Sequence, residues 1–224
     1  MNCLSERLSL IMSFIPKGVS VCDVGCDHGY LSAALYLSGG FSHITATDIG
    51  EKPLRNARKN FEKLGVDGVE LLLCDGLAGV KKERAEYVVI AGMGGDVISG
   101  IIEGCPYKNE VSFVLQPMTN AGSLRVYLAK KGFVVKKEKA IKENGKLYSV
   151  MLCRFEGEAY TVKSSQKYIG ILKPDDDTNI AYIEKQFNIC KKCAAALENI
   201  PEKSEEYIEY LSAKKEIEAL LGVK

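Results

Sequence analysis

Residues 20–30, SVCDVGCDHGY, decide the fold of this chain. A run of apolar and β-prone residues ends in an acidic residue and a glycine, and a helical stretch over 29–38 follows. This order predicts a buried strand that turns directly into a helix. Four further predicted strands with polar or glycine-rich ends follow it: HITATDIG (43–50), VELLLCDG (69–76), AEYVVIAGMGG (85–95) and VSFVLQP (111–117).

Helical stretches separate most of these strands, which predicts βαβ units and a parallel sheet with helices on its faces. Residues 133–155 instead predict a hairpin that turns near Asn144 and Gly145, so the sheet gains an antiparallel edge. We therefore predict an α/β fold with a mostly parallel, doubly wound sheet and an antiparallel C-terminal hairpin. The predicted helices of this part cover residues 3–15, 29–38, 52–64, 96–103 and 120–131.

The sequence changes character after residue 160. Residues 168–179, YIGILKPDDDTN, are predicted to be a connector. Apolar residues then recur at helical spacing over 178–198 and 204–221, with a break at Pro201. Two amphipathic helices joined by a short break predict a helical hairpin, a small coiled coil. The predicted domains are thus a sheet domain, residues 1–160, and a helical domain, residues 161–224.

Composition limits the classes of protein that the chain can belong to. Of its 224 residues 46% are hydrophobic and 26% charged, which excludes a disordered chain, and the net charge of +1 neither demands nor excludes a nucleic acid partner. No apolar run reaches the roughly 18 residues that a membrane span needs, and we find no secretory leader, so we expect a cytoplasmic location and no membrane partner. We expect the eight cysteines to be reduced, and no protein partner is evident. The CxxC pair, Cys190 and Cys193, lacks a second pair to complete a zinc site, so we expect no metal.

Acidic residues and glycines lie where the first four predicted strands end. Because the carboxyl ends of parallel strands meet at one edge of a sheet, these residues are expected to line a common crevice. Asp48 follows the first glycine turn by about 20 residues and is placed to accept both hydroxyls of a ribose. Asp75 is placed to accept the exocyclic amine of an adenine. The predicted cofactor-binding residues are Asp23, Gly25, Asp27, His28, Gly29, Tyr30, Asp48, Ile49, Asp75, Gly76, Ala91, Gly92, Met93 and Gly94.

Two adenosine cofactors compete for such a crevice. A nicotinamide dinucleotide prefers GxGxxG, whose glycines make room for a pyrophosphate, whereas this chain has DVGCDHGY (23–30) with Asp27 where the anion would lie. A carboxylate there repels a pyrophosphate and accepts the amino group of a methionine. The chain has no GxxxxGK[ST] phosphate loop either. The pattern therefore favours S-adenosylmethionine and methyl transfer.

Seven motifs occur in order over roughly residues 5–155: DVGCDHGYL, TATDIGEKPLRNARKN, CDGL, VVIAGMGG, LQPM, LRVYLAKKGF and ENGKLYSV. Together they resemble the bacterial tRNA (adenine-22-N1)-methyltransferases, the TrmK family. The resemblance implies a class I, Rossmann-like methyltransferase fold with a coiled-coil C-terminal region. It also implies S-adenosylmethionine as methyl donor and N1 of adenine 22 in tRNA as acceptor. Cys26 and Gly29 depart from the family pattern, in which Thr or Ser and Ala are expected.

The resemblance also suggests roles for single residues. Asp27 is predicted to stabilise the positive charge that develops on the adenine, and His28 to accept a proton. The alternative role for His28 is a structural hydrogen bond that orients the loop. Residues 130–146 carry seven lysines and two acidic residues, a pattern typical of a phosphate-binding stripe or of a solvated face of an edge hairpin. The predicted tRNA contacts are Arg7, Gln116, Pro117, Arg125, Lys136, Lys137, Lys139, Lys146 and Tyr148.

Other functions stay open at this point. The chain could be a non-catalytic RNA-binding module on the same fold, or an enzyme that methylates another RNA or a small molecule. The acidic residues at the strand ends argue against a non-catalytic module. The added helical arm favours a large substrate over a small molecule.

Overall fold

The structure is a computed structural model that describes residues 4–198 and 204–222 of the chain. Its strands are β1 (Ser20–Val24), β2 (His43–Asp48), β3 (Val69–Leu73), β4 (Tyr87–Gly94), β5 (Ser112–Thr119), β6 (Phe133–Glu143) and β7 (Lys146–Phe155). They form one seven-stranded sheet in the order β3-β2-β1-β4-β5-β7-β6. β1 to β5 run parallel, and β7 is antiparallel to both of its neighbours. The predicted doubly wound sheet with an antiparallel hairpin is confirmed.

Helices cover both faces of this sheet. They are α1 (Glu6–Met12), α2 (Tyr30–Ser38), α3 (Glu51–Leu64), α4 (Gly95–Glu103), α5 (Ala121–Lys130), α6 (Ser164–Ile169), α7 (Asp177–Leu197) and α8 (Glu205–Leu221), with a 3-10 turn at Lys82–Arg84. None of the helices within the described ranges has both the length and the apolar character needed to cross a bilayer.

Alternation along the strands sends neighbouring side chains into two cores. On one face, residues such as Val88 and Phe113 pack against α4 and α5. On the other, Val89 and Val114 pack against α1 and α2. Because both faces of these strands are buried, the strands read in the sequence as near-continuous apolar runs, which is why the β-rich runs identified them.

The connector expected over 168–179 is shorter than predicted. Its first two residues belong to α6, a helix of six residues, and its last three belong to α7. Six residues complete fewer than two turns, so no helical periodicity can be read from them. The break expected at Pro201 lies outside the described residues.

The C-terminal helices pack on the hairpin and on each other. Ile169 of α6, Ile183 of α7 and Ile217 of α8 share an apolar cluster with Ala140 of β6. The backbone N–H of Ala140 also donates to the side-chain oxygen of Asn179 at 2.8 Å. This packing and hydrogen bonding fix the helices against the hairpin; the division of the chain into two domains stays a prediction.

A buried ion pair lies beneath these helices. The guanidinium of Arg125 on α5 donates to the carboxylate of Glu138 on β6 at 2.6 Å, and the two side chains are 3% and 0% exposed. Arg125 also donates to the carbonyl oxygens of Lys167 and Tyr168 and to the Ser149 hydroxyl. The guanidinium donors of Arg125, one of the predicted tRNA contacts, are thus used inside the protein, and its contact with tRNA stays a prediction.

We expect Glu138→Gln to destabilise the protein by about 3–5 kcal/mol, because the change leaves the guanidinium of Arg125 buried without its counter-charge. Urea unfolding monitored by circular dichroism measures this loss. The matched control is Glu156→Gln, which breaks the exposed pair of Glu156 with Lys136 and should cost about 0–1 kcal/mol. Equal losses in the two variants would contradict a structural role for the buried pair.

Candidate active site

The turn after β1 runs through left-handed backbone. Gly25, Asp27 and Gly29 have φ angles of 72°, 48° and 70°. A Cβ on Gly25 would lie 2.1 Å from the methyl carbon of Met93, and one on Gly29 would lie 2.6 Å from the Phe61 ring. Gly29 therefore departs from the expected alanine for a reason: its backbone conformation and the Phe61 ring leave no room for a side chain.

A cavity of about 600 Å³ opens beyond this turn, at the carboxyl ends of β1 to β4. It lies where the strand order reverses, which is where doubly wound sheets bind ligands. Two predicted residues lie outside its lining, because Gly29 is buried under Phe61 and Gly94 faces Thr119. The predicted residues that line the cavity are Asp23, Gly25, Asp27, His28, Tyr30, Asp48, Ile49, Asp75, Gly76, Ala91, Gly92 and Met93.

Asp48 joins two of the loops around the cavity. One oxygen of its carboxylate accepts the backbone N–H of Asp27 at 3.2 Å, and the other accepts that of Gly50 at 2.9 Å. Two backbone donors therefore hold the carboxylate in one orientation, and each oxygen keeps a lone pair for a ligand. Asp75, at the next strand end, is exposed to the cavity.

Asp23 is the buried acid of the site. Its side chain lies at the floor of the cavity with a residue exposure of 5%, and the Ser32 hydroxyl donates to it at 2.6 Å. Burial raises the pKa of Asp23 to about 6 from its ordinary 3.8, against the opposing effect of the Ser32 hydrogen bond. A carboxylate that ionises at such a cost is stabilised by a cationic ligand.

We expect Asp23→Asn to change how stability depends on pH. Because folded Asp23 holds its proton to about pH 6 and unfolded Asp23 only to about pH 4, the wild type should lose about 3 kcal/mol from this group between pH 4 and pH 7. Asparagine does not titrate, so the variant should gain stability relative to the wild type as the pH rises.

Urea unfolding at pH 4, 5, 6, 7 and 8 measures this difference, and subtracting the two curves cancels the other carboxylates. Glu158→Gln, which removes an exposed carboxylate, is measured at the same pH values as the control. A flat difference between Asp23→Asn and the wild type would contradict the raised pKa.

Asp27, His28 and Tyr30 form the exposed mouth of the cavity. The Nε2 atom of His28 lies 3.6 Å from a carboxylate oxygen of Asp27, and the His28 and Tyr30 rings stack with centroids 5.8 Å apart. The side chain of Asn60 on α3 donates to the backbone oxygen of His28 at 2.9 Å. Asn60 therefore holds the loop in place. No sign of this role is visible in the sequence, because Asn60 is a single polar residue within a helix.

A polar network holds the glycine-rich end of β4. The amide oxygen of Gln116 accepts from the Arg7 guanidinium at 2.7 Å and from the backbone N–H of Gly92 at 3.2 Å. Arg7 also donates to Glu143 at 2.9 Å. Gln116 and Pro117 are buried, and Gln116 supports the loop that borders the cavity; the contact of both residues with tRNA stays a prediction.

Internal contacts engage several of the predicted basic residues. Lys136 pairs with Glu156, and Lys139 lies 3.4 Å from Asp176. The Lys137 ammonium lies over the Phe14 ring, 4.2 Å from its centre. These lysines remain exposed, as does Lys146 at the start of β7, so their contact with tRNA stays a prediction. Among the described residues, no cluster of His, Cys, Asp and Glu is arranged to hold a metal ion.

A family model described as a methyltransferase domain matches residues 4–151, which include all four strand ends of the cavity. The chain belongs to this methyltransferase family. Among curated relatives, the tRNA (adenine(22)-N(1))-methyltransferase of Bacillus subtilis (strain 168) is 34% identical over 152 residues, which are 66% of this chain and 64% of that enzyme. A putative tRNA methyltransferase of Mycoplasma pneumoniae is 32% identical over 66% of this chain and 70% of its own length. The match thus spans less than two thirds of the Bacillus subtilis enzyme.

Solved structures resemble this chain over nearly its whole length. A Streptococcus pneumoniae putative tRNA (m1A22) methyltransferase superposes with a TM-score of 0.81 at 29% identity, over 98% of this chain and 100% of that one. M. capricolum TrmK, solved with S-adenosylhomocysteine, superposes with a TM-score of 0.78 at 25% identity, over 97% of this chain and 99% of that one. These structural matches include the C-terminal helices, whereas the curated relatives above match two thirds of the chain. The C-terminal helical region therefore has the same fold in this chain and in these two solved structures.

Proposed function

We propose that this methyltransferase transfers the methyl group of S-adenosylmethionine to N1 of adenine 22 in tRNA. The observation that carries the proposal is the set of three carboxylates, Asp23, Asp48 and Asp75, on one cavity at the strand ends. The names of the relatives and structural neighbours above support the choice of acceptor. Such an enzyme works in the cytoplasm, where its tRNA substrate is found.

The hydrogen-bond acceptors of this cavity fit the cofactor. S-adenosylmethionine offers a ribose diol, an adenine amine and a methionine ammonium group, and the cavity offers an oriented, an exposed and a buried carboxylate. In this arrangement Asp48 accepts the ribose hydroxyls, Asp75 the adenine amine and Asp23 the ammonium. Asp23 replaces Asp27 in the last role, because the side chain of Asp27 is 69% exposed at the mouth of the cavity.

The residues at the mouth then act on the target base. The bound cofactor supplies an electrophilic methyl group on a sulfonium, and the N1 lone pair of adenine attacks it. The positive charge moves from sulfur to the base, so charge balance requires no proton to leave. Asp27 stabilises the charge on the base, and His28, 3.6 Å away, keeps that carboxylate in position. The exposed Tyr30 ring offers a stacking surface to a base that has left its helix.

We expect Asp48→Asn to weaken binding of S-adenosylhomocysteine by about 10- to 150-fold, because it removes the charge from the ribose acceptor. Isothermal titration calorimetry measures the Kd. The matched control is Glu51→Gln, three residues away, whose carboxylate pairs with Arg55 and lies outside the cavity lining. Unchanged affinity in a correctly folded Asp48→Asn protein would contradict the ribose assignment.

Incubation with radiolabelled cofactor and an unmodified tRNA transcript tests the reaction itself. We expect the label to appear as 1-methyladenosine after nuclease digestion, because N1 carries the attacking lone pair. A transcript with guanine at position 22 is the matched control and should stay unlabelled. Label in both transcripts would move the site to another base, and label in neither would contradict tRNA as the substrate.

A further inference from the structure

A second cavity, of about 550 Å³, lies beside the catalytic one. The end of β5 and the first turn of α5 form one side, and β7 with α6, α7 and α8 form the other. Met118, 40% exposed at the end of β5, lines both cavities. A polymeric ligand that leaves the catalytic cavity past Met118 therefore reaches the second cavity directly.

The charges of the two cavities are opposite in kind. Asp23, Asp27, Asp48 and Asp75 line the first, together with Arg7, whose guanidinium pairs with Glu143. Among the described residues that line the second there is no aspartate or glutamate, whereas three cationic residues are present: Arg125, Lys167 and Lys185. Arg125 and Lys167 pair with Glu138 and Glu209, which leaves the exposed Lys185 as the charge available to a ligand. The first cavity suits a cation and the second an anion.

Aromatic rings supply the remaining surface of this cavity. Four tyrosines line it, of which Tyr182 is buried and Tyr168 donates its hydroxyl to Glu209. Tyr148 on β7 is half-buried, and its hydroxyl makes no hydrogen bond to the residues that the structure describes. An aromatic face beside a cationic group is the pattern with which proteins bind single-stranded nucleic acid, because every base has a face that stacks and a phosphate beside it.

We propose that this second cavity binds a nucleotide of the substrate RNA that neighbours the target adenine. Its base stacks on Tyr148, and its phosphate faces Lys185 and the first turn of α5. The volume agrees with this occupant, since pockets for small ligands measure about 300–1,000 Å³. The inference rests on the proposed function and adds a second contact point on the same RNA.

Steady-state kinetics with tRNA test this site. We expect Tyr148→Ala to raise the KM for tRNA about 10-fold or more, with kcat and the Kd for S-adenosylhomocysteine unchanged, because the site acts on the RNA only. Tyr148→Phe keeps the ring and should behave like the wild type. Tyr160→Ala, an exposed tyrosine that lines neither cavity, is the matched control.

Lys185→Ala separates the phosphate contact from stacking. It should raise the KM for tRNA and reduce the slope of log KM against log salt by about 0.7–0.9, the contribution of one phosphate contact. Lys191→Ala, another exposed lysine of α7, should leave the slope unchanged.

The outcomes distinguish this inference from the proposed function. An active wild type whose KM is unchanged in Tyr148→Ala, or equally raised in Tyr148→Phe, overturns the stacking site alone. A Tyr148→Ala protein that loses cofactor affinity together with tRNA affinity overturns it as well, because the residue is then structural. A wild type that methylates no tRNA overturns the proposed function, and the nucleotide site falls with it.

Discussion

The rest of the site depends on the turn that follows β1. Its left-handed residues bring the chain back across the end of β2, where the backbone N–H groups of Gly25 and Cys26 both donate to the carbonyl of Thr47 at 2.8 and 2.9 Å. The N–H of Asp27 then reaches the Asp48 carboxylate. Because the turn is bonded to β2 in this way, the buried Asp23, the oriented Asp48 and the exposed Asp27 lie around one cavity. A wider turn would separate them, and the carboxylates would no longer converge on one ligand.

The acidic residues of the cavity differ in how far they are buried. Burial makes Asp23 expensive to ionise, a cost that a cationic group of the proposed cofactor would offset, whereas the side chain of Asp27 is exposed at the mouth of the cavity. The neighbouring cavity contrasts with this one, since its described lining has no acid and presents Lys185 and tyrosine rings. A cation and a polyanion can therefore bind side by side without competing for the same charges.

Parallel topology made the cavity at the strand ends predictable from sequence. The carboxyl ends of parallel strands meet at one edge of a sheet, so the sequence alone assigns Asp48 and Asp75 to one crevice. The partners of Arg125 and Gln116 could not be predicted in this way. Residue type gives charge and polarity but not burial. The partners of the buried Arg125 are Glu138 on β6 and two carbonyls of α6, and only the packing of these elements brings them together. Pairing across the fold decided whether a basic residue faces RNA or the interior.

The same buried pair also bears on the proposed RNA contact. Arg125 lies in the wall between the sheet and the C-terminal helices, and it bonds to β6, to β7 through Ser149 and to the backbone of α6. Swinging the helices away would strip the two α6 carbonyls from a buried charge, whereas Glu138 and Ser149 lie on the hairpin and would stay with it. These hydrogen bonds tie α6, which lines the second cavity, to the sheet. A preformed cavity spends little binding energy on ordering the protein, so more of each base and phosphate contact appears as affinity for the RNA.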